Sequence, residues 1–562
     1  NYRGILNSTT FIEAGLGQVK RDSFIEPVDK DLGPAQYSIK SLAQNIHNSY
    51  GNVTDDQKRL DFNLKFTKHI ETETLGRHEL NFGFEYYSFS SQFSVDFSGK
   101  DEDLFPGNGF DSGTKYYFDT WSGEGGTPTF FYEYGVFDFI NSARGIGLYF
   151  KDKITWNRFT LMAGFRSQTQ ICRDHRGEKL WFWSLQDFLS PRLSLAVDII
   201  GDGVNILKFG WGRFSDLITT MPLGLLSSGA GLSFRTYRWQ GSSNPLEPEI
   251  HDSSNWQFEN EQGAQPFEIA EGLKPNFLTR YLIEFDRKLG KGWAFKARYV
   301  RSKAEDLLEI LAVIDPQSET MYKFLYDNFE HKRRNYQGFE FELYGRIGSI
   351  FFLNASYSRS SAKGTNPGQS ETGSWSQEEG STNYIGLFGN HIWIPDYPEY
   401  EELKEYWDVA LAGLGGRGIS AEENESWYGK LPYSVDHNLK INSVFLAPYG
   451  LIFSAAFEWI SGYYWEKLGY VPFFGGYYSF PEGRGTNKTP SHFYLDIGLE
   501  KEFPLNRFRL PQNMAFILRI DIFNVLNSQK PISYIKESIP LFGEVWGKQQ
   551  PRQARMTFKI KW

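Results

Sequence analysis

The sequence of 562 residues has little cysteine, no excess of basic residues and no long apolar run. Its single cysteine excludes an intramolecular disulfide framework and a cysteine-based metal ribbon. The formal net charge of -9 argues against a nucleic-acid-binding protein, which usually has a basic face. Transmembrane helices are not expected, because mean hydropathy is -0.46 and no stretch of about 18 residues is apolar.

Aromatic residues and glycine, by contrast, are abundant. The chain contains 49 Phe, 32 Tyr and 16 Trp, together with 55 Gly. This content is too high for a disordered chain. A polar average with many aromatic residues suits an outer-membrane β-barrel, because one face of each strand meets lipid and the other meets water.

Residues of opposite character alternate along many segments. In the last segment, Met556, Phe558, Ile560 and Trp562 fall on one face, and Arg555, Thr557, Lys559 and Lys561 fall on the other. For any one such segment, a half-buried strand of a soluble sheet is an alternative interpretation. Roughly 16 segments share the pattern. They lie near 8–20, 58–70, 78–92, 143–156, 158–170, 189–200, 204–216, 277–289, 292–304, 336–346, 349–362, 435–447, 450–462, 491–503, 513–526 and 552–562.

The connections between these segments alternate between short and long. The short ones are WNR, IGDG, LGKG, RIGS and APYG, with turn-forming Gly, Asn, Asp or Pro. The long ones include 21–57, 93–142, 217–276, 363–434 and 463–490. Soluble sandwiches rarely have loops beyond about 15 residues. We therefore predict an all-β fold over 1–562: a single-domain, transmembrane antiparallel β-barrel with short periplasmic turns and long extracellular loops.

Two finer expectations follow from this alternation. If the last strand runs inward, every short turn and the start of the first strand lie on the periplasmic side. The stretch 398–414, PEYEELKEYWDVALAGL, is predicted to form a short helix inside a loop.

Several segments, in order, resemble the barrel of TonB-dependent receptors, especially the Oar-like group. SPRLSLAVDIIGDGVNILKFGWGRFSD at 190–216 is the most specific match, to "PRLGLAYDxxGDGKTxLRGGYGRFxD". Five weaker matches are HELNFGFEYYSF at 78–89, RGIGLYFKDKITWNRFTLMAGFR at 144–166, YQGFEFELYGRIGSIFFLNASYSRSSAKG at 336–364, LPYSVDHNLKINSVFLAPYGLIFSAAFEWISG at 431–462 and RIDIFNVLN at 519–527. Together they extend from about residue 60 to the end.

The resemblance implies energised uptake of a scarce ligand such as a peptide, a glycan or a metal chelate. It also implies an N-terminal plug domain, through which TonB acts, and a barrel of about 22 strands. No plug-like sequence and no TonB box is visible, and roughly 16 segments are about six too few. The simplest interpretation is that the chain lacks the plug and the first several barrel strands. A complete 16-stranded passive porin is the alternative, and a structural barrel scaffold of a surface protein complex is a third possibility.

Charged residues of the alternating segments are expected to face the lumen. Arginine or lysine facing lipid at the midplane costs about 2–4 kcal/mol, so these side chains must point toward water. The lumen-facing candidates are Asp61, Lys65, Arg166, Glu340, Glu342, Lys440, Glu500, Arg519, Asp521, Arg555 and Lys559. They hydrate a channel or hydrogen-bond a plug.

Aromatic clusters mark candidate binding sites in the loops. The loop binding candidates are Trp181, Trp183, Tyr463, Tyr464, Phe473, Tyr477 and Tyr478. Such rings stack on sugars, anchor a partner such as a surface lipoprotein, or form the interfacial girdle, as expected for Trp459 and Trp465. The loop 363–434 is acidic and is interpreted as a soluble surface that bridges to lipopolysaccharide through divalent ions, with attraction of a cation or basic partner as the alternative.

No catalytic or cofactor-binding constellation stands out. The nine His residues form no HExxH motif, the G-x-S-x-G elbow is absent, and the GxG patterns precede no helix. No enzyme activity, metal or cofactor is therefore expected. Cys172 is predicted to be an exposed free thiol on an outer loop.

Overall fold

A 20-stranded antiparallel sheet dominates the computed structural model of the chain. The structure describes residues 1–28, 30–39, 44–102, 104–106, 113–118, 127–135, 137–215, 217, 233–243, 245–262, 267–314, 322–328, 334–364, 392–393, 428–432, 434–467, 469–471, 476–479, 482–505, 514–536 and 540–561.

Seventeen of the 20 strands form one continuous meander, the wall, in which each strand pairs with the next along the chain. The wall strands are β1 Tyr2–Asn7, β2 Thr10–Ile25, β3 Gly51–Thr72, β4 Gly76–Phe97, β5 Phe137–Trp156, β6 Phe159–Gln168, β7 Ser190–Asp198, β8 Asn205–Ser215, β9 Phe277–Gly290, β10 Trp293–Glu305, β11 Arg334–Ile347, β12 Phe351–Gly364, β13 His437–Ala447, β14 Leu451–Ile460, β15 His492–Pro504, β16 Ala515–Phe523 and β17 Gln553–Lys561. Among the described residues, no pairing joins β17 back to β1.

The meander confirms the predicted antiparallel all-β fold and the alternation of short and long connections. All the short turns lie at one end of the wall and all the long loops at the other. The predicted first strand, 8–20, is wrong in one respect: a tight turn at 8–9 separates β1 from β2. The first strand therefore starts at the long-loop end, not at the short-turn end.

The short turns have the residues that their geometry requires. Between β9 and β10, Lys291 and Gly292 both have positive φ, 48° and 87°. This is the pattern of a two-residue hairpin whose twist matches the flanking strands. Between β7 and β8, the Asp198 carboxylate accepts hydrogen bonds from the backbone N–H groups of Gly201 and Gly203 at 3.0 and 2.6 Å. These local interactions fix the register in which the long strands meet.

The wall strands β2, β3, β4 and β5 extend several residues further toward the long loops than the sequence pattern predicted. β3 and β4 each have 22 residues and β5 has 20, against the 9–11 residues with which a barrel strand crosses a bilayer. The predicted loops 21–57 and 93–142 are therefore shortened at both ends. The excess length projects beyond the long-loop end of the wall.

The long loops contribute further strands. A six-stranded sheet comprises Gln36–Ile39, Gln44–Ile46, Gly113–Phe118, Pro128–Tyr134, Phe234–Trp239 and Trp256–Gln262. A four-stranded sheet comprises Phe267–Ile269, Leu308–Ile314, Tyr322–Asn328 and Ile392–Trp393. The remaining short strands are Gln170–Arg173, Lys179–Trp183 and Gly429–Lys430 beside the wall, and the pairs Tyr464–Trp465 with Asn487–Lys488, Gly469–Val471 with Gly476–Ser479, and Pro531–Tyr534 with Val545–Lys548.

The six-stranded sheet has an aromatic core of its own. Tyr37, Tyr116, Phe131, Trp239 and Trp256 are buried together in it. Three separate loops supply these residues, so their burial ties the loops into one folded layer.

A second core, the loop core, covers the polar side of the wall at its long-loop end. It contains Cys172, Trp181, Trp183, Phe188 and Ala143 of β5. The prediction of an exposed thiol is wrong: Cys172 is 0% exposed, because its strand pairs with β5 and with Lys179–Trp183. Burial raises the pKa of this thiol, so it should be unreactive.

Helix is scarce among the described residues. The segments are an α-helical turn at Glu247–Ile250 and 3-10 turns at Ser253–Asn255 and Pro448–Gly450. No helix in the described part of the chain has the length and apolar character to cross a membrane. The helix predicted at 398–414 lies outside the described residues.

The first prediction concerns the two faces of the wall. Leu518 and Arg519 of β16 point to opposite faces, with Leu518 beside Phe558 and Arg519 beside Thr557. Leu518→Arg should impair outer-membrane assembly, since a charge facing lipid costs about 2–4 kcal/mol. Arg519→Leu should be milder. Equal yields of heat-modifiable folded protein for the two variants would contradict this orientation.

The second prediction concerns the pH dependence of the six-stranded sheet. Glu102 lies 2.6 Å from Nδ1 of His251, and this hydrogen bond raises the pKa of His251 despite partial burial. The protonated pair stabilises this layer fully below about pH 6.5, and the contribution is lost as pH rises through the raised pKa.

Amide hydrogen exchange of Trp256–Gln262 should accordingly speed up, beyond its intrinsic pH dependence, as the solution becomes alkaline. His251→Gln should remove this extra dependence. An unchanged dependence in the variant would show that His251 is not responsible.

Candidate functional site

The polar face of the wall is the candidate site. Register places directly opposed residues on the same face, and it can be followed from strand to strand across all 17 wall strands. It brings every predicted lumen-facing residue to one face: Asp61, Lys65, Arg166, Glu340, Glu342, Lys440, Glu500, Arg519, Asp521, Arg555 and Lys559. Whether this face lines a lumen stays a prediction.

The opposite face is apolar. Phe209 and Ile283 oppose one another on it, as do Phe445 and Phe453. Phe558 is 62% exposed on this face. A ring of this size would expose a large apolar surface if the face met water. Trp459 lies on the same face near the long-loop end of β14. Such a continuous apolar surface is the kind that contacts lipid.

A chain of ion pairs crosses the centre of the polar face. Lys208 lies 2.7 Å from Glu284 and 2.5 Å from Asp286. Arg298 lies 2.6 Å from Glu284 and 2.9 Å from Glu340, and so connects the two carboxylates. Glu284 is only 5% exposed, so its charge depends on these two cations. The network links β8 to β11 through side chains as well as backbone.

Lys208, Glu284 and Arg298 were not among the predicted lumen-facing residues. Their segments were identified as strands, but period-two alternation alone does not say which residues of neighbouring strands stand opposite. They could have been identified if the charged positions of three neighbouring segments had been assigned to one face of the sheet. These segments are 204–216, 277–289 and 292–304.

Most of the predicted candidates elsewhere on this face are also paired. Asp521 accepts hydrogen bonds from Arg519 at 2.9 Å and from Arg555 at 3.0 Å, and Arg519 lies 3.5 Å from Glu500. The other pairs are Lys65 with Glu13, Arg166 with Glu85, Lys440 with Glu458, Glu342 with Lys296, and Asp61 with Arg59. The more exposed of these pairs, such as Lys440 with Glu458, contribute little stability.

The aromatic loop candidates do not form one surface. Trp181 and Trp183 are 6% and 2% exposed in the loop core, and the Trp183 indole donates to the Leu273 carbonyl at 2.5 Å. Both rings pack inside the protein in this structure, and their role as binding residues stays a prediction. Phe473 lies outside the described residues, and so do the side chains of Tyr477 and Tyr478 on the strand Gly476–Ser479.

Tyr463 and Tyr464 are partly buried at the long-loop end of the wall. The Tyr463 ring centroid lies 5.3 Å from that of His492. Trp465, predicted for the girdle, instead stacks on Tyr534 at 5.0 Å within the loops. These contacts tie the loop that follows β14 to its neighbours. Most of the acidic loop 363–434 lies outside the described residues.

Asp436 anchors the base of two loops. Its carboxylate accepts hydrogen bonds from Lys430 at 2.5 Å, from the Tyr464 hydroxyl at 2.6 Å and from Lys488 at 2.8 Å. Burial alone would raise the pKa of Asp436, but these three donors outweigh it and hold the pKa far below the usual range. Asp436 therefore joins the segment before β13 to the hairpin between β14 and β15.

The third prediction concerns this anchor. A carboxylate with a depressed pKa stabilises the folded form above about pH 3.9, and the contribution is lost as pH falls through the depressed value. Asp436→Asn should speed amide exchange in Tyr464–Trp465 and Asn487–Lys488 at neutral pH. Asp56→Asn on β3 is the control, since the described part of the chain gives Asp56 no side-chain hydrogen bond. Equal exchange in wild type and Asp436→Asn would contradict the role of the anchor.

Comparison with known proteins relates the chain to solved outer-membrane proteins. No protein-family model matches it, and no curated protein sequence matches it. The outer-membrane transporter YddB of Escherichia coli is similar at TM-score 0.59 and 14% identity, over 99% of this chain and 61% of that one. BauA, the ferric preacinetobactin receptor of Acinetobacter baumannii, is similar at TM-score 0.51 and 11% identity, over 100% and 61%.

The ferripyoverdine receptor of the outer membrane of Pseudomonas aeruginosa is similar at TM-score 0.52 and 11% identity, over 98% of this chain and 53% of that one. The chain thus spans about three fifths of the length of these proteins or less. At such low identity the likeness concerns the fold. The chain has the antiparallel β-barrel fold of these outer-membrane transporters and receptors.

Proposed function

We propose that the chain is the barrel portion of an outer-membrane, TonB-dependent receptor that takes up a scarce ligand by energised transport in a Gram-negative bacterium. The observation that carries the proposal is the two-faced wall. A continuous apolar face suits lipid, and a continuous charged face suits a water-filled passage. Two solved proteins of similar fold are named as receptors for ferric preacinetobactin and for ferripyoverdine. A metal chelate is thus the first ligand class to test here, followed by peptides and glycans.

Strand parity supports a wall that is longer than 17 strands. Barrels of this type have an even number of strands, and an unpaired strand edge in lipid leaves backbone groups without partners. β1 starts at the long-loop end and β17 ends at the short-turn end. An odd number of further strands is therefore needed to close the wall. Five would give the 22 that the resemblance to TonB-dependent receptors implies, and a plug domain would precede them.

The Oar-like group is the proposed subgroup. Its most specific motif occupies β7, the Asp198 turn and β8. Outer-membrane lipid and lipopolysaccharide would surround the apolar face. TonB would act through the plug, and a surface lipoprotein would dock on the loop layer.

The fourth prediction separates this function from its alternatives. The native full-length protein should pass no steady ion current in planar bilayers, because a plug fills the barrel, and it should bind the purified periplasmic domain of TonB. A permanently open channel without TonB binding would contradict the proposal and indicate a porin. A barrel that passes no current, does not bind TonB and co-purifies with surface proteins would indicate a scaffold.

A further inference from the structure

A row of cations separated by glycines crosses the polar face near the long-loop end. Register places Gly212 of β8 directly between Arg192 of β7 and Arg280 of β9. On the other side of Arg192 the row continues through Gly164 of β6 to Lys151 of β5. Adjacent strands lie about 4.8 Å apart, so the Cα atoms of the two arginines are separated by about 10 Å, and the residue that stands between them in the register has no side chain of its own.

The row lines a concavity of about 690 Å³. Five cations line it, Lys65, Lys151, Arg166, Arg192 and Arg280, together with one carboxylate, Glu85. The positive charge is therefore concentrated in this part of the polar face, whereas the chain as a whole has a net charge of -9.

Three of the five cations already have carboxylate partners. Arg166 holds Glu85 through two hydrogen bonds at 3.0 and 2.5 Å. Lys65 lies 3.0 Å from Glu13, and Lys151 lies 3.9 Å from Glu79. Glu85, the carboxylate that lines the concavity, is thus already bound by Arg166 and does not neutralise Arg192 or Arg280.

Arg192 and Arg280 have no carboxylate partner in the part of the chain that the structure describes. The Arg192 guanidinium lies 4.5 Å from the Phe214 ring centroid, a contact that uses its face. Arg280 donates through Nε to the Ser302 hydroxyl at 3.1 Å. A guanidinium has five N–H donors, so most donors of both groups stay available to a ligand in the concavity.

The loop core lies at the outer end of the same face. Its residue Phe188 is completely buried, and its carbonyl accepts a hydrogen bond from Ser190, the first residue of β7, at 3.0 Å. Arg192 is two residues further along that strand. The concavity therefore lies just inside the point where the loops fold over the wall.

We propose that Arg192 and Arg280 form a binding site for an oxyanion, a carboxylate or phosphate group carried by a small solute. The site rests on the proposed function, since it requires that the polar face lines the solute's path. Paired arginines present forked N–H donors that match both oxyanions. The concavity that both arginines line has room for such a group.

Calorimetric titration of the detergent-solubilised full-length protein at low ionic strength tests the site. The probes are inorganic pyrophosphate and tricarballylate, with neutral maltotriose as reference. At least one oxyanion should bind, and added salt should weaken it. Pyrophosphate alone would identify a phosphate site, and tricarballylate alone a carboxylate site. Arg192→Gln and Arg280→Gln should each weaken binding at least tenfold. Arg346→Gln, the same change elsewhere on this face, should leave the affinity unchanged.

A second variant covers the case in which the arginine variants fail to assemble. Gly212→Asp places a carboxylate between the two arginines, where the atoms nearest to the added Cβ belong to the side chains of Phe214 and Arg192, at 3.1 and 3.3 Å, so that both side chains must shift slightly. It should assemble and lose oxyanion binding.

Three results would overturn the site: no oxyanion binding by the wild type, equal affinity in all variants, or maltotriose binding as strongly as the anions. Binding is measured without transport, so loss of the site and failure of the proposed function are observed in separate experiments.

Discussion

The hydrogen-bond register between neighbouring strands is the constraint on which the rest of the structure depends. In a bilayer no water satisfies a backbone N–H or C=O, so each wall strand must pair along its length. Because side chains alternate along a strand, that pairing also fixes which residues share a face. A slip of one residue between β8 and β9 would send Lys208 and Glu284 to opposite faces. The charge network and the apolar surface are therefore consequences of one register.

The short turns hold this register in place. The two positive-φ residues at Lys291 and Gly292 give a hairpin without freedom to slip, and the Asp198 carboxylate closes the turn before β8. The loops at the other end carry no such constraint on length. They are free to build folded layers with aromatic cores, as in the six-stranded sheet. The short-turn end of the wall thus fixes the strand register, and the long-loop end provides the surface that a ligand or partner meets first.

The sequence predicted the features that are local. Alternation such as that in 514–522 predicts a two-faced strand, and Asn, Gly and Asp between two such segments predict a hairpin. Together they gave the antiparallel fold, the two kinds of connection and the charged face. Pairings between distant segments leave no local signal. The burial of Cys172 and Trp181 depends on contacts with β5 and with loops far along the chain, and nothing in ICRDHRG indicates them.

Spin labels along β14 would show directly whether one face of the wall meets water and the other meets lipid. Labels would be placed one at a time at Ile452 to Trp459 of the full-length protein in lipid bilayers. Accessibility to a water-soluble nickel chelate should peak at Ser454, Ala456 and Glu458, and accessibility to oxygen at Phe453, Ala455 and Phe457. Both accessibilities are therefore expected to alternate with a period of two residues, in opposite phase. Equal accessibility at successive positions, or each peak at the other set of residues, would contradict this expectation.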